Sequence, residues 1–291
     1  MVKALDINGH TILLEGRIPL IARLEQESCE DVEDPEALIK ALQTVRPKPD
    51  ILTFLQRLPD FQPRYPYFMT LDPVAALPVK TYSYWFEKQI ESAVRNKVRK
   101  ALKKGIVVKQ VGFDDEFVRG MTSIFNETPV RQGRRFLHYG KDFATIKEQF
   151  SRYLFREEIF GAYVGEELVG FIMLADTGKY VYLGQILSKV SYRSLAPNNA
   201  LLAKAVERCA EKESPYLVYA SWLNDGLGEF KQSNGFQRFD LPRYFVPLTR
   251  QGRLVLRLGL HRGVKEVIPQ RIVDVLKSVR KGWYDLRTRL G

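Results

Sequence analysis

The chain has 291 residues, 45% of them hydrophobic, which is enough for one large folded domain or two smaller ones. Its longest apolar runs, such as residues 171–175, are far too short to cross a bilayer, and its start lacks the pattern of a secretory signal peptide. The net charge is +11, but residues 250–291 hold eleven Lys and Arg against three acids and so carry +8 of it. The remainder of the chain is nearly neutral, which argues against nucleic-acid binding over the whole surface.

The first 81 residues show the pattern of an α+β segment. Apolar and polar residues alternate through residues 1–30, which predicts short strands. Asp34 and Pro35 are typical of a helix start. Prolines and aromatic residues interleave between residues 47 and 78, which indicates extended and packed chain. We therefore predict an N-terminal α+β extension at 1–81; whether it is a partial second copy of the next domain is left open by the pattern.

A helical pattern follows from Tyr82 to Lys104 and ends at Gly105, a residue typical of the position after a helix. The remaining pattern reads, in chain order, as a strand, two helices joined by a polar loop, three strands, a helix, a strand, a short helix and final strands. The predicted bounds are 106–111, 114–126, 142–156, 159–164, 168–175, 180–188, 197–211, 216–222, 228–234 and 236–248.

This element order, with the closing segment Glu229-Phe-Lys-Gln-Ser-Asn-Gly-Phe236, resembles the GNAT acyltransferase fold. The basic segment 95–105 and the Phe230-Lys231 pair are similar to the FemAB-like branch of that superfamily. The resemblance implies an α/β (α+β) protein of bacterial type with a mixed, mostly antiparallel central sheet flanked by helices. It places the acyltransferase domain at 82–249 and leaves 250–291 as a basic helical tail.

In that fold the donor is usually acetyl-CoA or another acyl-CoA, which pairs with a strand opened by a bulge. Gly184 lies in the middle of the corresponding strand, and a mid-strand glycine often marks a bulge. The backbone N–H groups near Gln185 and Ile186 would then face the thioester carbonyl as an oxyanion site. The alternative is that Gly184 only makes room for a neighbouring side chain.

The resemblance places the donor phosphates at the junction that follows, 191–200. A helix start directs unpaired N–H groups and the positive end of its dipole at an anion. The family has glycine where Ala196 stands, so side chains must replace part of the backbone cradle. The expected contacts there are Arg193, Ser194, Ala196, Asn198 and Asn199. The alternative is an ordinary helix start without a ligand.

The polar loop 127–142 usually borders the acceptor site in this fold. The candidates for a general base in it are Glu127, His138 and Tyr139, because each could accept a proton or relay one. Three arginines suggest an acceptor with a carboxylate or phosphate: Arg131, Arg134 and Arg135. A structural histidine and a solvated arginine face are the alternatives. Phe230 stands where many family members have an acidic Tyr, so that general acid is missing.

No metal or redox motif is recognisable in the sequence. The three histidines lie far apart and lack Cys or carboxylate partners at ligand spacing. Cys29 and Cys209 show no CxxC spacing, which fits a reducing cytoplasm. We therefore expect no metal and a cytoplasmic location, with contact at the inner membrane surface as an extension of it.

The tail carries apolar residues at alternating spacings of four and three, which predicts one apolar stripe along a helix. The stripe consists of Ile272, Leu276, Val279, Trp283, Leu286 and Leu290. It would pack on the body of the protein, lie on an anionic membrane as a peripheral contact, or belong to a nucleic-acid surface.

Three functions follow from these patterns. The leading one is an acyl-CoA-dependent N-acyltransferase that acts on the amine of a small molecule or cell-envelope precursor. The second is FemAB-like transfer of an aminoacyl group from tRNA, with phosphate contacts from Lys97, Arg99, Lys100, Lys103 and Lys104. The third is a non-catalytic binding or scaffold protein with a GNAT-like fold.

Overall fold

The computed structural model describes residues 3–131, 133–152, 154–222 and 226–260. Its strands are β1 Lys3–Ile7, β2 His10–Glu15, β3 Ile21–Leu24, β4 Ile51–Leu55, β5 Phe68–Pro78, β6 Val107–Val111, β7 Val130–Arg131, β8 Arg134–Arg135, β9 Glu157–Val164, β10 Glu167–Asp176, β11 Val181–Ser188, β12 Tyr216–Ser221 and β13 Gln237–Pro247. Its α-helices are α1 Pro35–Thr44, α2 Tyr82–Tyr84, α3 Ser92–Lys103, α4 Asp115–Phe125, α5 Phe143–Phe150, α6 Pro197–Glu211, α7 Gly226–Ser233 and α8 Arg250–Arg257.

Within these residues, eleven strands form one sheet in the order β1-β2-β3-β4-β13-β5-β12-β11-β10-β9-β6, and β7 pairs with β8 in a separate hairpin. The β3–β4 and β11–β12 pairs are parallel, and the other neighbours in the sheet are antiparallel. The expected fold class, a mixed and mostly antiparallel sheet flanked by helices, is confirmed.

The two ends of this sheet repeat one connection. β1, β2 and β3 run antiparallel, α1 follows, and β4 lies parallel to β3. β9, β10 and β11 also run antiparallel, α6 follows, and β12 lies parallel to β11. β13 lies between β4 and β5 and thereby joins the two arrangements. The predicted boundary at residue 81 thus falls within a continuous sheet, and it stays a prediction.

The expectation of one continuous helix from Tyr82 to Lys104 is wrong. The helical pattern from Tyr82 does not continue unbroken, because α2 passes into a π-helical turn at Trp85–Gln89 and the chain is extended at Ile90 before α3 begins. Two tertiary hydrogen bonds hold this break. Trp85 is fully buried and its Nε1 donates to Asn234 O at 3.0 Å, while Gln89 donates to Pro78 O at 3.0 Å. These distant partners override the local helical pattern.

β10 is the centre of the half of the sheet that contains β9 to β12, since its residues 168–175 are buried on both faces. Ile172 and Leu174 pack with α3 and α6, whereas Phe171 and Met173 pack with α4 and α5. Each of these side chains contributes about 1.5–3 kcal/mol by leaving water. The sheet is therefore sandwiched here between two helical layers, and β11 with its open edge lies directly beside the core strand. No helix in the described ranges combines the length and the apolar character needed to cross a membrane.

Candidate functional site

A cleft opens where β11 and β12 part. The two strands are paired only at Val181–Leu217 and Tyr182–Val218, and beyond these pairs their backbones separate. A cavity of ≈ 390 Å³ lies in the opening. Seven of the residues expected at the site line it, namely Arg131, Arg135, His138, Gln185, Ile186, Arg193 and Asn198. Residues that are scattered over some seventy positions of the sequence thus meet at one opening in the sheet.

A β-bulge interrupts β11 at Gly184, as the sequence predicts. Met173 of β10 faces Gln185 and Leu174 faces Leu183, so Gly184 has no partner in the register. A β carbon at Gly184 would meet nothing closer than Met173 O at 3.7 Å. This glycine is therefore not needed to make room for a neighbour, and its place in the strand is explained by the bulge.

The junction after β11 keeps a glycine-like backbone without a glycine. A 3₁₀ turn at Arg193–Leu195 leads into Ala196, which has φ 57° and ψ 46°, and Pro197 is the first residue of α6. The left-handed conformation costs an alanine about 1–2 kcal/mol. The chain thus retains the loop shape that glycine favours in this fold, with a methyl group in place of hydrogen.

The side chains of this junction differ in their access to the cavity. Arg193 is exposed and lines its mouth, while Asn198 lines its wall with an Oδ1 that is buried and has no hydrogen-bond partner in the described part of the chain. Turning that amide by half a rotation would present the Nδ2 donor instead. Asn199 is buried and Ser194 is exposed, and neither lines the cavity. Arg193 and Asn198 are therefore the junction side chains best placed to meet a ligand.

Glu127 holds the loop that precedes the junction. Its carboxylate accepts hydrogen bonds from the N–H groups of Val190 and Ser191 and from the Ser191 hydroxyl, and it also faces Arg131. Burial works to raise the pKa of Glu127, but the hydrogen bonds from Ser191 and Val190 outweigh it, and the pKa lies below its ordinary value. A carboxylate so engaged is a weak proton acceptor, and its position is that of a tether.

His138 lines the cavity in an aromatic setting. Its ring stacks on Phe125 with a centroid distance of 4.7 Å, and Nδ1 lies 3.3 Å from Nζ of Lys141. Burial and then the Lys141 charge lower the pKa of His138, so the imidazole is neutral at pH 7. A Lys ammonium can only donate, which leaves Nδ1 as acceptor and places the ring proton on Nε2. Tyr139 is exposed and does not line this cavity.

The expected arginine cluster divides into different roles. Arg131 donates to Ser188 O at 2.8 Å and to Ile124 O at 2.7 Å, so it ties the end of α4 to the end of β11. Its Nε is buried without a partner among the described residues. Arg135 is exposed and lines the cavity. The side chain of Arg134 lies outside the described structure, and so does the apolar stripe of the tail.

Two residues at the cleft were missed by sequence reasoning. Tyr219 of β12 lines the cavity, and burial raises its pKa to about 12, so its phenol keeps its proton at neutral pH. Lys231 is 1% exposed and donates at 2.7 Å to the carbonyls of Tyr219 and Ser221, at the place where the register of β12 with β5 shifts between Val218 and Ser221. A buried lysine four residues before a Gly-Phe pair was the only sequence signal, and it did not reveal these partners.

A basic surface adjoins the cleft. α3 packs against α6 and against the turn at Arg193–Leu195. Lys97, Arg99, Lys100 and Lys103 of this helix and Lys104 directly after it are exposed, and none forms an ion pair with an acid in the described ranges. Positive charge therefore extends from the mouth of the cavity along one helix. Within the described residues, no cluster of His, Cys, Asp or Glu is arranged to hold a metal.

The sequence matches the family described as acetyltransferase (GNAT) domain over residues 90–219, which contain β11, the junction and β12 up to Tyr219. A search of curated proteins found no match.

Solved structures share the fold over most of the chain. FemX is 13% identical with a TM-score of 0.57, covering 88% of this chain and 90% of its own. The C-terminal domain of a putative lysylphosphatidylglycerol synthetase from Agrobacterium fabrum is 11% identical with a TM-score of 0.58, covering 89% and 88%. L-PGS from Bacillus licheniformis is 14% identical with a TM-score of 0.56, covering 88% of each chain. The opened strand pair and the junction both lie within residues 90–219, the part of the chain that matches the GNAT acetyltransferase domain family.

Proposed function

We propose that the protein transfers the acyl group of a CoA thioester to an amine. The observation that carries this proposal is the separation of β11 from β12, with the bulge at Gly184 and a cavity of ≈ 390 Å³ between the strands. The pantetheine arm, which has amide groups, can bond to the backbone groups that the missing strand partner leaves free. Its phosphates then lie at the start of α6, near Arg193 and Asn198.

The residues around the bulge suit the chemistry of acyl transfer. The N–H groups beyond Gly184 are directed at the developing oxyanion when the amine nitrogen attacks the carbonyl carbon. As the carbon–sulfur bond breaks, the departing thiolate takes a proton, for which the neutral Tyr219 phenol is available in the cavity wall. Tyr219 thus replaces the acid that Phe230 cannot provide.

A second donor is favoured by one specific observation. The exposed and unpaired cations of α3 continue from the mouth of the cavity, and such a surface suits the phosphate backbone of tRNA. One structure of the same fold bears the name putative lysylphosphatidylglycerol synthetase, whose named product carries a lysyl group. In this second candidate, the aminoacyl end of a tRNA enters the same cleft and the acyl chemistry is unchanged.

Titration calorimetry separates the two donors. Acetyl-CoA, a longer acyl-CoA and aminoacylated tRNA are titrated into the full chain at low and high salt. Binding of an acyl-CoA with modest salt dependence supports the leading proposal. Binding of tRNA alone, with steep salt dependence, supports the second. If none of the ligands binds, both proposals are contradicted and a non-catalytic scaffold becomes the better description.

The acceptor and location extend this proposal. We propose a small molecule or cell-envelope precursor with an amine as the acceptor, and a place in the cytoplasm or at the inner membrane surface. Vesicle flotation tests the membrane part by comparing the full chain with a chain that ends at Leu260, since α8 packs on β13 and is retained. Equal binding of both chains to anionic vesicles argues against a role of the tail.

A further inference from the structure

A second cavity adjoins the bulge on the side of the N-terminal half. It measures ≈ 250 Å³, and Gly184 and Gln185 form part of its wall. Gln185 also lines the donor cleft, so the two cavities meet at this residue. The other walls come from β10, from the end of α5 and from the loop after β3, which provides Ser28 and Cys29. Both halves of the chain are therefore needed to build it.

Glu157 lines this cavity and has an unused carboxylate oxygen. It is the first residue of β9 and faces Ala175 across the strand pair. Its Oε2 is buried and has no hydrogen-bond partner among the described residues. The next residue, Glu158, is fully engaged by contrast, with ion pairs of 2.6 Å to Arg208 and Lys212. A buried carboxylate oxygen without a partner is costly, so its presence beside a cavity calls for a ligand.

We propose that the second cavity receives the amine of the acceptor and that Glu157 is the general base that deprotonates it. This inference rests on the proposed acyl transfer, because it places the nucleophile beside the bulge at which the thioester carbonyl would lie. An amine fits better than an anion or a neutral group, because an ammonium can donate to the unpaired oxygen and match its charge.

The proton and electron balance of the step is simple. The ammonium of the acceptor gives one proton to Glu157, and the free nitrogen attacks the carbonyl carbon. The carbon–sulfur bond breaks, and its electron pair leaves with the sulfur. The nitrogen loses a second proton, which neutralises the thiolate through Tyr219. The products are an amide, a thiol and a protonated Glu157, which returns its proton to water.

The other charged groups around this cavity are already satisfied. Arg152 pairs with Glu25 at 3.3 Å, and Arg156 pairs with Glu30 at 3.2 Å. Burial raises the pKa of the thiol of Cys29 and of the phenol of Tyr182, so both are uncharged at neutral pH.

Glu157 is consequently the acid in this wall without an ion pair to a described residue. Burial raises the pKa of Glu157, and the nearby Arg156 opposes the rise without cancelling it. A carboxylate with a raised pKa is a better base than an ordinary one, which suits the role assigned here.

A neighbouring cavity provides room for the rest of the acceptor. It measures ≈ 410 Å³ and shares Ser28 and Tyr182 with the amine cavity. Arg57 and Trp222 also line it, together with Arg243, which pairs with Glu27 and Asp72, so it offers aromatic and polar contacts. The acceptor class is therefore an amine on a larger body, for which a simple alkylamine is the minimal probe.

The test uses two probe amines with acetyl-CoA as donor. Cadaverine is protonated at neutral pH and needs a base, whereas hydroxylamine is neutral and does not. We expect Glu157→Gln to slow transfer to cadaverine by about 100-fold or more, with transfer to hydroxylamine and acetyl-CoA affinity close to wild type. The rate with cadaverine should rise with pH through the elevated pKa of Glu157. This rise should be absent in Glu157→Gln.

Glu158→Gln is the matched control, and its rate with cadaverine should still rise with pH. Glu157→Asp should restore part of the rate that Glu157→Gln loses. Equal losses with both amines, or an unchanged rate with cadaverine, would overturn the assignment of the base. Direct titration of cadaverine separates this failure from failure of the proposed function. Even if acetyl-CoA does not bind, cadaverine should bind the wild type at least tenfold more tightly than Glu157→Gln; equal or absent binding would overturn the amine site.

Discussion

The carboxylate of Glu127 accepts hydrogen bonds from both the backbone N–H and the hydroxyl of Ser191, at 2.9 and 2.7 Å. The two residues are 64 positions apart, and their contact fastens the loop at 127–142 to the start of the junction at 191–200. A residue that the sequence offered as a candidate base is thus a structural link between these two segments.

Replacing Glu127 by Gln should loosen this junction. The new amide group would face backbone donors, so we expect the free energy of unfolding to fall by about 2 kcal/mol and acetyl-CoA affinity to weaken. Because the folded pKa lies below the ordinary value of 4.5, the contribution of Glu127 is complete above that pH and is lost as the pH falls through the folded pKa. Urea unfolding at neutral and acidic pH should show a smaller difference at acidic pH; a constant difference would contradict this link.

His138 should make the protein sensitive to mild acid. Its folded pKa is below the unfolded value of about 6.5, so the unfolded chain binds the proton more readily and stability falls as the pH drops below that value. His138→Phe keeps the stacking on Phe125 and should reduce the loss of Tm between about pH 7 and pH 5. Lys141→Met removes the second cause of the lowered pKa of His138, so it should also reduce this loss of Tm. Identical pH profiles in all three proteins would contradict the assignment.

Arg193 should contribute to donor affinity and little to folding, because it is exposed at the mouth of the cleft. We expect Arg193→Ala to weaken acetyl-CoA binding about tenfold, the cost of one charged hydrogen bond. Arg238→Ala is the control, since Arg238 is exposed and pairs with Asp240 away from the cleft. Calorimetry should find equal Tm values for the two variants and a loss of acetyl-CoA affinity in Arg193→Ala alone. Unchanged affinity in Arg193→Ala would contradict the proposed contact of Arg193 with the donor phosphates.

The basic face of α3 distinguishes the two proposed donors. The double variant Lys97→Glu and Lys100→Glu changes exposed residues without described ion pairs, so folding should be preserved. If tRNA is the donor, its affinity should fall and the slope of log affinity against log salt should decrease by roughly two. The matched control is the double variant Lys40→Glu and Lys48→Glu, which reverses two charges that are exposed on the N-terminal half. An equal effect of both double variants would indicate a general charge effect and not a tRNA surface.

Tyr219 should act late in the reaction. Tyr219→Phe removes the phenolic proton from the cavity wall, and we expect turnover to fall about 100-fold while acetyl-CoA affinity is kept. Tyr216→Phe is the control on the same strand, since the Tyr216 ring packs on Phe239 and does not line the donor cavity. Steady-state rates for both variants check the prediction, and similar rates in the two would exclude Tyr219 as the acid.

Local patterns in the sequence were enough to predict most helices and strands between residues 106 and 248. The start of α6 follows from a proline at its first position. For Gly184 the sequence left a bulge and a space-making role open, and the strand register shows the bulge. The break at Ile90 was missed, because it depends on the hydrogen bonds of Trp85 and Gln89 to distant carbonyls. Such partners leave no trace in the spacing of residues near the break.

The sequence by itself determined the element order after residue 106 and the start of α6 at the 191–200 junction, because these follow from periodicity and turn chemistry within short windows. The tertiary structure alone decided which polar residues are free to react. Glu127 is bound by a backbone 63 residues away, whereas Glu157 faces a cavity that needs a wall from the first thirty residues. Both are ordinary glutamates in the sequence; what distinguishes them is the set of long-range contacts, and only folding creates those.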